Sequence, residues 1–435
     1  MKKVSFYTLG CKVNQYETEA MEELFEKSGY EVVGEDEAAD VYVINTCTVT
    51  NLGDRKSRQF IRRAKKMNKG STIAVVGCYS QVAPEEIEKM EYVDVIIGTG
   101  GRKDIVKYCE EAKECKKQIV AVSDFRELNE FEELKIKEIK TRTRAYMKIQ
   151  EGCNQYCSYC IIPYARGLIR SRSYENIIDE ANRLANAGFK EIILTGIHVA
   201  SYGKDRGDLG LLDVIVGISK VKGIDRIRLS SMEPTLIDEK FMYTVSNIPE
   251  FCDHFHLSLQ SGSDRILERM NRRYTTEEYS KIVDLIRTYM PNAGITTDII
   301  VGFPGETEND FNDTIEFVKK IKFSRIHVFK YSPRKGTPAS KFKNQVHGTI
   351  KNERSEKLIS IGEELMGDFN RQFLGKKMEV LFEEESNGNP KYMEGYTTNY
   401  IRAHALGDKK LRGKILPVKM TKIDSENIIG EIEEF

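Results

Sequence analysis

Residues 145–160 read Ala145-Tyr-Met-Lys-Ile-Gln150-Glu-Gly-Cys153-Asn-Gln-Tyr-Cys157-Ser-Tyr-Cys160. A strand-like run, Ala145–Gln150, leads directly into three cysteines spaced C-x3-C-x2-C. Three thiolates on one short loop can hold three corners of a cubane iron–sulfur cluster. A closed cluster takes four cysteines, and no fourth is nearby. One iron is then left open for a ligand, by the logic that keeps one position free on a catalytic metal. Zinc is the competing reading, but structural zinc sites favour paired C-x2-C knuckles with a second pair downstream.

The chain around this loop alternates strand and helix patterns from about 145 to 335. The strand candidates are Ala145–Gln150, Glu191–Gly196, Arg226–Ser230, His256–Leu259, Thr297–Gly302 and Arg325–Tyr331. Helical patterns between them include Tyr174–Ala187, Thr276–Met290 and Glu308–Ile321. These β/α units predict a partial (β/α)6 barrel related to the (β/α)8 fold, with chemistry at the carboxyl ends of the strands. The Cys153–Cys160 loop lies at such an end.

Residues 1–125 alternate in the same way, with apolar runs at Val4–Leu9, Val41–Ile44, Ile73–Val76, Val93–Ile97 and Ile119–Val122. That pattern predicts an α/β domain built on a parallel sheet. Residues 126–144 are dense in Glu, Lys and Arg and read as a charged linker. The barrel is expected over 145–370, ending in a long helix at Lys351–Phe373. Short strand-like runs split by Gly, Asn and Asp predict a small all-β barrel over 371–435.

Three more cysteines share one structural address. Cys11 follows Phe6–Gly10, Cys47 follows Val41–Thr46 and Cys78 follows Ile73–Gly77, each just past a predicted strand. In an open parallel sheet, ligands bind where such ends line up. The three thiols can therefore converge as a second three-cysteine site, although each alone reads as an ordinary buried side chain. Cys109, Cys115 and Cys252 are taken as structural.

Lys plus Arg and Asp plus Glu both number 67 among the 435 residues, a formal charge of zero. Any nucleic-acid surface must then come from local clustering. No apolar run is long enough for a membrane span, and Lys2-Lys3 leads into a strand pattern without a signal-peptide core. With nine cysteines, this argues for a reducing cytoplasm and metal ligation over disulfides.

The chain resembles the methylthiotransferase family of radical S-adenosylmethionine (SAM) enzymes. The resemblance rests on Thr8-Leu-Gly-Cys-Lys-Val-Asn-Gln-Tyr-Glu17, Ile44-Asn-Thr-Cys-Thr48, Val76-Gly-Cys-Tyr79, Glu151-Gly-Cys153 through Ile161-Ile-Pro-Tyr-Ala-Arg-Gly167, and Ser171-Arg172. It implies an N-terminal domain carrying an auxiliary [4Fe-4S] cluster on Cys11, Cys47 and Cys78. It also implies a radical SAM barrel with a [4Fe-4S] cluster on Cys153, Cys157 and Cys160, and a C-terminal barrel of the type called TRAM. In that superfamily the open iron chelates SAM, whose reductive cleavage yields a 5′-deoxyadenosyl radical. The family replaces a C–H bond by C–S–CH3, consuming two SAM per turnover with electrons from a low-potential donor such as flavodoxin or ferredoxin. No acid–base residue is required.

By the same resemblance, Tyr159 packs on the SAM adenine, Thr195-Gly196 contacts its amino group, Ser258 and Gln260 reach the ribose, and Gly302 lets backbone approach the adenine. Residues 55–69 hold eight Lys or Arg and no acid; Arg55, Arg58, Arg62, Arg63 and Lys66 are the candidate RNA grip. Within the family, Cys11-Lys-Val-Asn14, Tyr164-Ala-Arg-Gly167 and Thr195-Gly-Ile-His198 resemble the MtaB-type motifs, with Tyr164 where a Trp is expected. That type acts on C2 of N6-threonylcarbamoyladenosine next to the anticodon of tRNA. The RimO-type, acting on a ribosomal protein aspartate, has Pro-Lys-Asn after the first cysteine. The MiaB-type, acting on isopentenyladenosine in tRNA, has Gln-Met-Asn. For a threonylcarbamoyl substrate, Arg166 or Arg170 is the candidate partner of its carboxylate, and Glu233 the acceptor for its urea N–H groups.

Overall fold

The computed structural model describes residues 1–134, 143–207, 209–386 and 389–433. Strands β1 (Lys2–Thr8), β2 (Tyr30–Val33), β3 (Val41–Thr46), β4 (Thr72–Gly77), β5 (Val95–Ile97) and β6 (Ile119–Ala121) form a parallel sheet. Its order is β2-β1-β3-β4-β5-β6. β3 and β4 are buried at every residue, which is why they read as continuous apolar runs. Separate cores cover the two faces, around Val43 and Phe25 on one side and Ile44 and Ile61 on the other. The strand order reverses between β1 and β3, so the loops after these strands open a crevice at the sheet's carboxyl edge. The edge strand β2 is four residues long, too short to stand out as a pattern in the sequence.

The middle of the chain supplies β7 (Arg144–Glu151), β8 (Arg170–Ser171), β9 (Glu191–Gly196), β10 (Arg226–Leu229), β11 (His254–His256), β12 (Gly294–Val301) and β13 (Arg325–Lys330). They pair as β10-β9-β7-β8 and β11-β12-β13, parallel except for the short β8. Bridges Ile227↔Phe251 and Met232↔Leu257 continue the wall from β10 to the β11 segment. The result is the expected partial barrel of six parallel strands, open between β7 and β13. Its core packs strand residues such as Ile192, Leu194, Ile227 and Ile299 against helices bearing Val214, Val283 and Val318. The fourth strand is shifted from the expected His256–Leu259. Beyond His256 only isolated bridges remain, and Gln260 takes a left-handed φ of 71°.

At the end of the chain, β14 (Lys377–Glu385), β15 (Tyr392–Tyr396), β16 (Arg402–Leu406), β17 (Ile415–Asp424) and β18 (Asn427–Ile432) close into a barrel in the order β14-β15-β16-β18-β17. This small barrel caps the amino ends of the large barrel's strands. Arg226 donates to the carbonyls of Tyr396 and Glu379, and Arg228 to those of Thr397 and Thr398. Tyr400 stacks on His254 with ring centroids 4.5 Å apart.

Of the segment read as a linker, residues 135–142 lie outside the described residues. The part before them packs between the domains: Leu134 is buried, its carbonyl accepts from the Tyr16 hydroxyl at 2.9 Å, and Glu133 pairs with Arg172. Among the described residues, no helix is long and apolar enough to cross a membrane.

Candidate active site

The Cys153–Cys160 loop leaves the carboxyl end of β7 and is tied down on several sides. The Cys153 N–H donates to the Gly167 carbonyl, Ser158 N–H to Met270, and Ala339 N–H to Ser158. Burial pushes the Cys153 thiol up to about 11, and the neighbouring Cys157 sulfur adds to the rise. Cys160 is pushed up by the same two causes. Thiols in such a place become thiolates only against a compensating cation. Among the described residues, no three His, Cys, Asp or Glu side chains converge on a point the size of one metal ion. The wider cubane does not require that. Arg272, which no motif announced, donates from Nη1 to the Cys157 Sγ at 3.3 Å.

Cys11, Cys47 and Cys78 do come together. Cys11 is the extended N-cap of the helix Lys12–Lys27, Cys47 follows β3, and Cys78 opens the helix Cys78–Val82 after β4. Burial, with Cys78 and Cys11 close by, pushes the Cys47 thiol up to about 12. Gly10 has φ 106°, and a Cβ there would lie 2.8 Å from the Cys47 Cβ, so the first loop can approach the second only as glycine. Cys78 is buried, Cys47 half-buried and Cys11 exposed at the crevice rim, and three thiols at one crevice are a donor set that fits a second three-cysteine cluster.

The two sites face each other across a buried ion cluster that corrects the expected role of Arg166. Its guanidinium has no solvent exposure. It donates to Glu17 at 2.5 Å, Glu151 at 2.9 Å, Asn14 at 2.7 Å and, through Nε, the Cys78 Sγ at 3.2 Å. Lys148 and Arg102 complete the shell around Glu17 at 2.9 and 3.1 Å. Burial opposes the Glu17 charge, but Arg102, Arg166 and Lys148 hold its carboxyl well below the usual range. Arg166 therefore has no free fork for a substrate carboxylate. Arg170 donates from Nη1 to the carbonyls of Leu128 and Leu168, and its Nε is buried without a hydrogen-bond partner. Glu233 is buried and occupied: it accepts from Gln155 at 2.5 Å and lies 3.1 Å from His198 Nε2 and 3.6 Å from Arg272. Its carboxylate braces the Cys153–Cys160 loop.

The other expected SAM contacts gather beside this loop. Tyr159 is half-buried, 6.4 Å from the Phe303 ring, and packs on a small apolar cluster with Met270 and Tyr331. Thr195 and Gly196 end β9, while the Ser258 carbonyl accepts from the Tyr274 hydroxyl and Arg272. Gly302 has φ 71°, but the space a Cβ would take holds the Lys351 side chain, at 2.3 Å. The close approach there is made by that lysine.

A cavity of about 640 Å3 runs from Cys11 and Thr195-Gly196 down the inside of the barrel to Tyr396 and Tyr400. Its lining is about half polar, including Lys12, Ser230, Ser231, His254, Thr296 and Asp298. His256 lies 3.2 Å from Asp298 and 2.9 Å from the Thr296 hydroxyl. Burial, with Arg228 and His256 nearby, holds His254 well below its usual range, so it is neutral. Burial also disfavours the charge on Lys12, with Tyr400 and Glu191 opposing this and Arg144 and Arg228 adding to it. These residues were missed because they lie within strands or beside a cysteine, where nothing in the local pattern marks them.

The basic residues lie on the helix Asn51–Met67, which buries Ser57, Ile61 and Ala64 on the sheet. Arg55, Arg58, Arg62, Arg63 and Lys66 line an open groove of about 750 Å3. Arg58 donates to the Tyr79 hydroxyl at 3.0 Å and Arg63 pairs with Asp36; Arg55, Arg62 and Lys66 are exposed. Arg334, from beyond β13, locks the helix start through Thr48, Asn51 and Asp54, each at 2.6 Å.

Residues 147–318 match the Radical SAM superfamily, and residues 3–98 match a group described as Uncharacterized protein family UPF0004. The threonylcarbamoyladenosine tRNA methylthiotransferase MtaB of Bacillus subtilis is 43% identical over 425 residues, covering 97% of this chain and 94% of that protein. The protein of the same name from Aquifex aeolicus is 41% identical, covering 96% and 99%. A tRNA-2-methylthio-N(6)-dimethylallyladenosine synthase from Clostridium tetani is 36% identical, covering 98% and 95%. The fold is also that of the radical SAM methyltransferase TsrM from Kitasatospora setae, with a TM-score of 0.58 at 14% identity over 78% of this chain and 77% of that one. Membership of the radical SAM superfamily implies one [4Fe-4S] cluster and SAM, which the Cys153–Cys160 loop fits. With its two family matches and near full-length relatives, the chain belongs to the radical SAM methylthiotransferase family.

Proposed function

We propose that this enzyme replaces the C2–H of N6-threonylcarbamoyladenosine, next to the anticodon in tRNA, by a methylthio group. Two [4Fe-4S] clusters serve the reaction, one on Cys153, Cys157 and Cys160 and an auxiliary one on Cys11, Cys47 and Cys78. The reading is supported by the names of the similar MtaB proteins. The observation that carries it is the polar cavity reaching from Cys11 to Thr195-Gly196. A threonylcarbamoyl group brings a carboxylate, a urea and a hydroxyl, which need polar partners. An isopentenyl group would leave such a lining unpaired, which is costly.

When bound, the clusters and SAM supply hydrogen-atom abstraction from an unactivated carbon and donation of methylated sulfur. The chain's own residues do the positioning. Glu233, His198 and Gln155 hold the SAM-cluster loop, and Arg166 joins that loop to Cys78. Cys11 and Thr195-Gly196 border one cavity, so a base between them would meet both sites. Arg55, Arg62 and Lys66 face outward and suit RNA phosphates. The electron source is a low-potential donor such as flavodoxin or ferredoxin, and the compartment is the cytoplasm.

The test is turnover by the reduced, reconstituted enzyme on matched tRNAs with threonylcarbamoyladenosine, isopentenyladenosine or plain adenosine at the same position. Methylthio product is expected on the first alone. Equal or faster reaction on either of the others overturns the substrate assignment, and product on a ribosomal protein aspartate would favour the RimO-type reading.

A further inference from the structure

Lys12 is half-buried and lines the large cavity. Among the described residues its ammonium makes no hydrogen bond or ion pair; its side-chain contact is the Tyr146 ring, 5.9 Å from Nζ. Its charged neighbours are the cations Arg144 and Arg228 and the carboxylates Glu191 and Asp298, at the barrel end capped by Tyr400. An ammonium partly shielded from water is costly without an anion in contact, and among the described residues the chain supplies none.

A second observation comes from other elements lining the same cavity. Ser230 and His254 are both buried, and Ser230 Oγ and His254 Nδ1 have no hydrogen-bond partner. Buried polar atoms are seldom left so. A cation donor, a hydroxyl and a ring nitrogen thus share one space without satisfying one another. Together they match a small polar group carrying a negative charge.

The chemistry of the base places such a group there. In adenine, C2 and the exocyclic N6 lie on either side of N1. With C2 at the rim between Cys11 and Thr195-Gly196, the N6 substituent projects away from both cysteine triads, down the cavity. We propose that Lys12 is a specificity-determining residue that pairs with the carboxylate of the N6-threonylcarbamoyl group, an inference that rests on the substrate reading above. Ser230 and His254 meet the urea and hydroxyl of the same substituent. Arg166 and Arg170 do not compete for this role: neither lines this cavity, and the Arg166 guanidinium is held by Glu17 and Glu151.

The experiment measures binding of the cluster-loaded enzyme to three anticodon stem-loops. One carries threonylcarbamoyladenosine, one carries its primary amide in place of the carboxylate, and one carries adenosine. The native enzyme is expected to hold the acid roughly 10- to 100-fold tighter than the amide, the range of a hydrogen bond to a charged group. Lys12→Met should bind acid and amide equally, and Lys12→Arg should restore the preference. Iron content is measured for each variant, since Cys11 is adjacent. Equal binding of acid and amide by the native enzyme, with both held tighter than adenosine, overturns the inference and leaves the substrate reading standing. No preference among the three overturns both. A Lys12→Met protein with full iron that still prefers the acid excludes Lys12 as the partner.

Discussion

The Nε–H of Arg166 donates to the Sγ of Cys78 across 3.2 Å. Arg166 ends the short helix Ile162–Arg166, which begins two residues after Cys160. One segment therefore carries a cysteine of the first triad and touches a cysteine of the second. The same guanidinium also binds Glu17 of the N-terminal helix and Glu151 of β7. One fully hydrogen-bonded side chain thus bridges the two triads.

Replacing Arg166 by Met should loosen that junction. Two buried carboxylates would each lose a cation, and breaking a buried pair costs about 3–5 kcal/mol. Hydrogen exchange over residues 12–27 and 144–151 should speed up, and the urea midpoint should fall. Arg166→Lys keeps the charge but not the fork. It should lower the reduction potential of the auxiliary cluster, because hydrogen bonds to cysteine sulfur help set it. An unchanged potential would remove any electronic role for the contact.

Iron content separates the two triads. If each triad holds one cluster, as proposed, Cys157→Ala should bind about half the iron of the native enzyme and give no 5′-deoxyadenosine from SAM. Cys47→Ala should also lose about half, this time from the auxiliary site, with the SAM-responsive spectroscopic signal retained. Full iron in a triple Cys11, Cys47 and Cys78 variant would dispose of the second cluster.

The basic helix is expected to grip phosphate. Reversing Arg62 and Arg63 to Glu should weaken tRNA binding and make the plot of log affinity against log salt shallower by about one per lost phosphate contact. Cluster content should be unaffected, because both side chains are exposed. Identical salt slopes would make this an ordinary solvated face.

The docking of the C-terminal barrel should be acid-labile. Burial opposes the charge of Glu191, yet Arg228 and Arg144 hold its carboxyl below the usual range. A depressed carboxyl stabilises fully above its unfolded pKa of about 4.3, and that contribution is lost as pH falls through the lower folded value. Stability should thus be flat from pH 7 to 5 and fall in stronger acid. Glu191→Gln should cost about 3–5 kcal/mol at neutral pH and remove part of the acid dependence. Hydrogen exchange over residues 378–432 is the readout.

What could be read along the chain were features governed by near neighbours. The runs before Cys11, Cys47, Cys78 and Cys153 are buried parallel strands, so their apolar continuity was visible, and a cysteine just past each had to lie at a carboxyl edge. That was enough to place both triads and the partial barrel. Side-chain partnership across the fold was not visible. Arg166 was read as free because Glu17 is 149 positions away, and Glu233 because His198 and Gln155 arrive on other loops. The shift of the fourth strand brought His254 into the wall of the cavity, and only the packing of the helix Lys12–Lys27 on β7 and β9 brings Lys12 of another domain to line it. Local backbone preference decides where strands and turns fall. Which charges neutralise one another, and which are left facing an empty space, is decided only when distant segments pack.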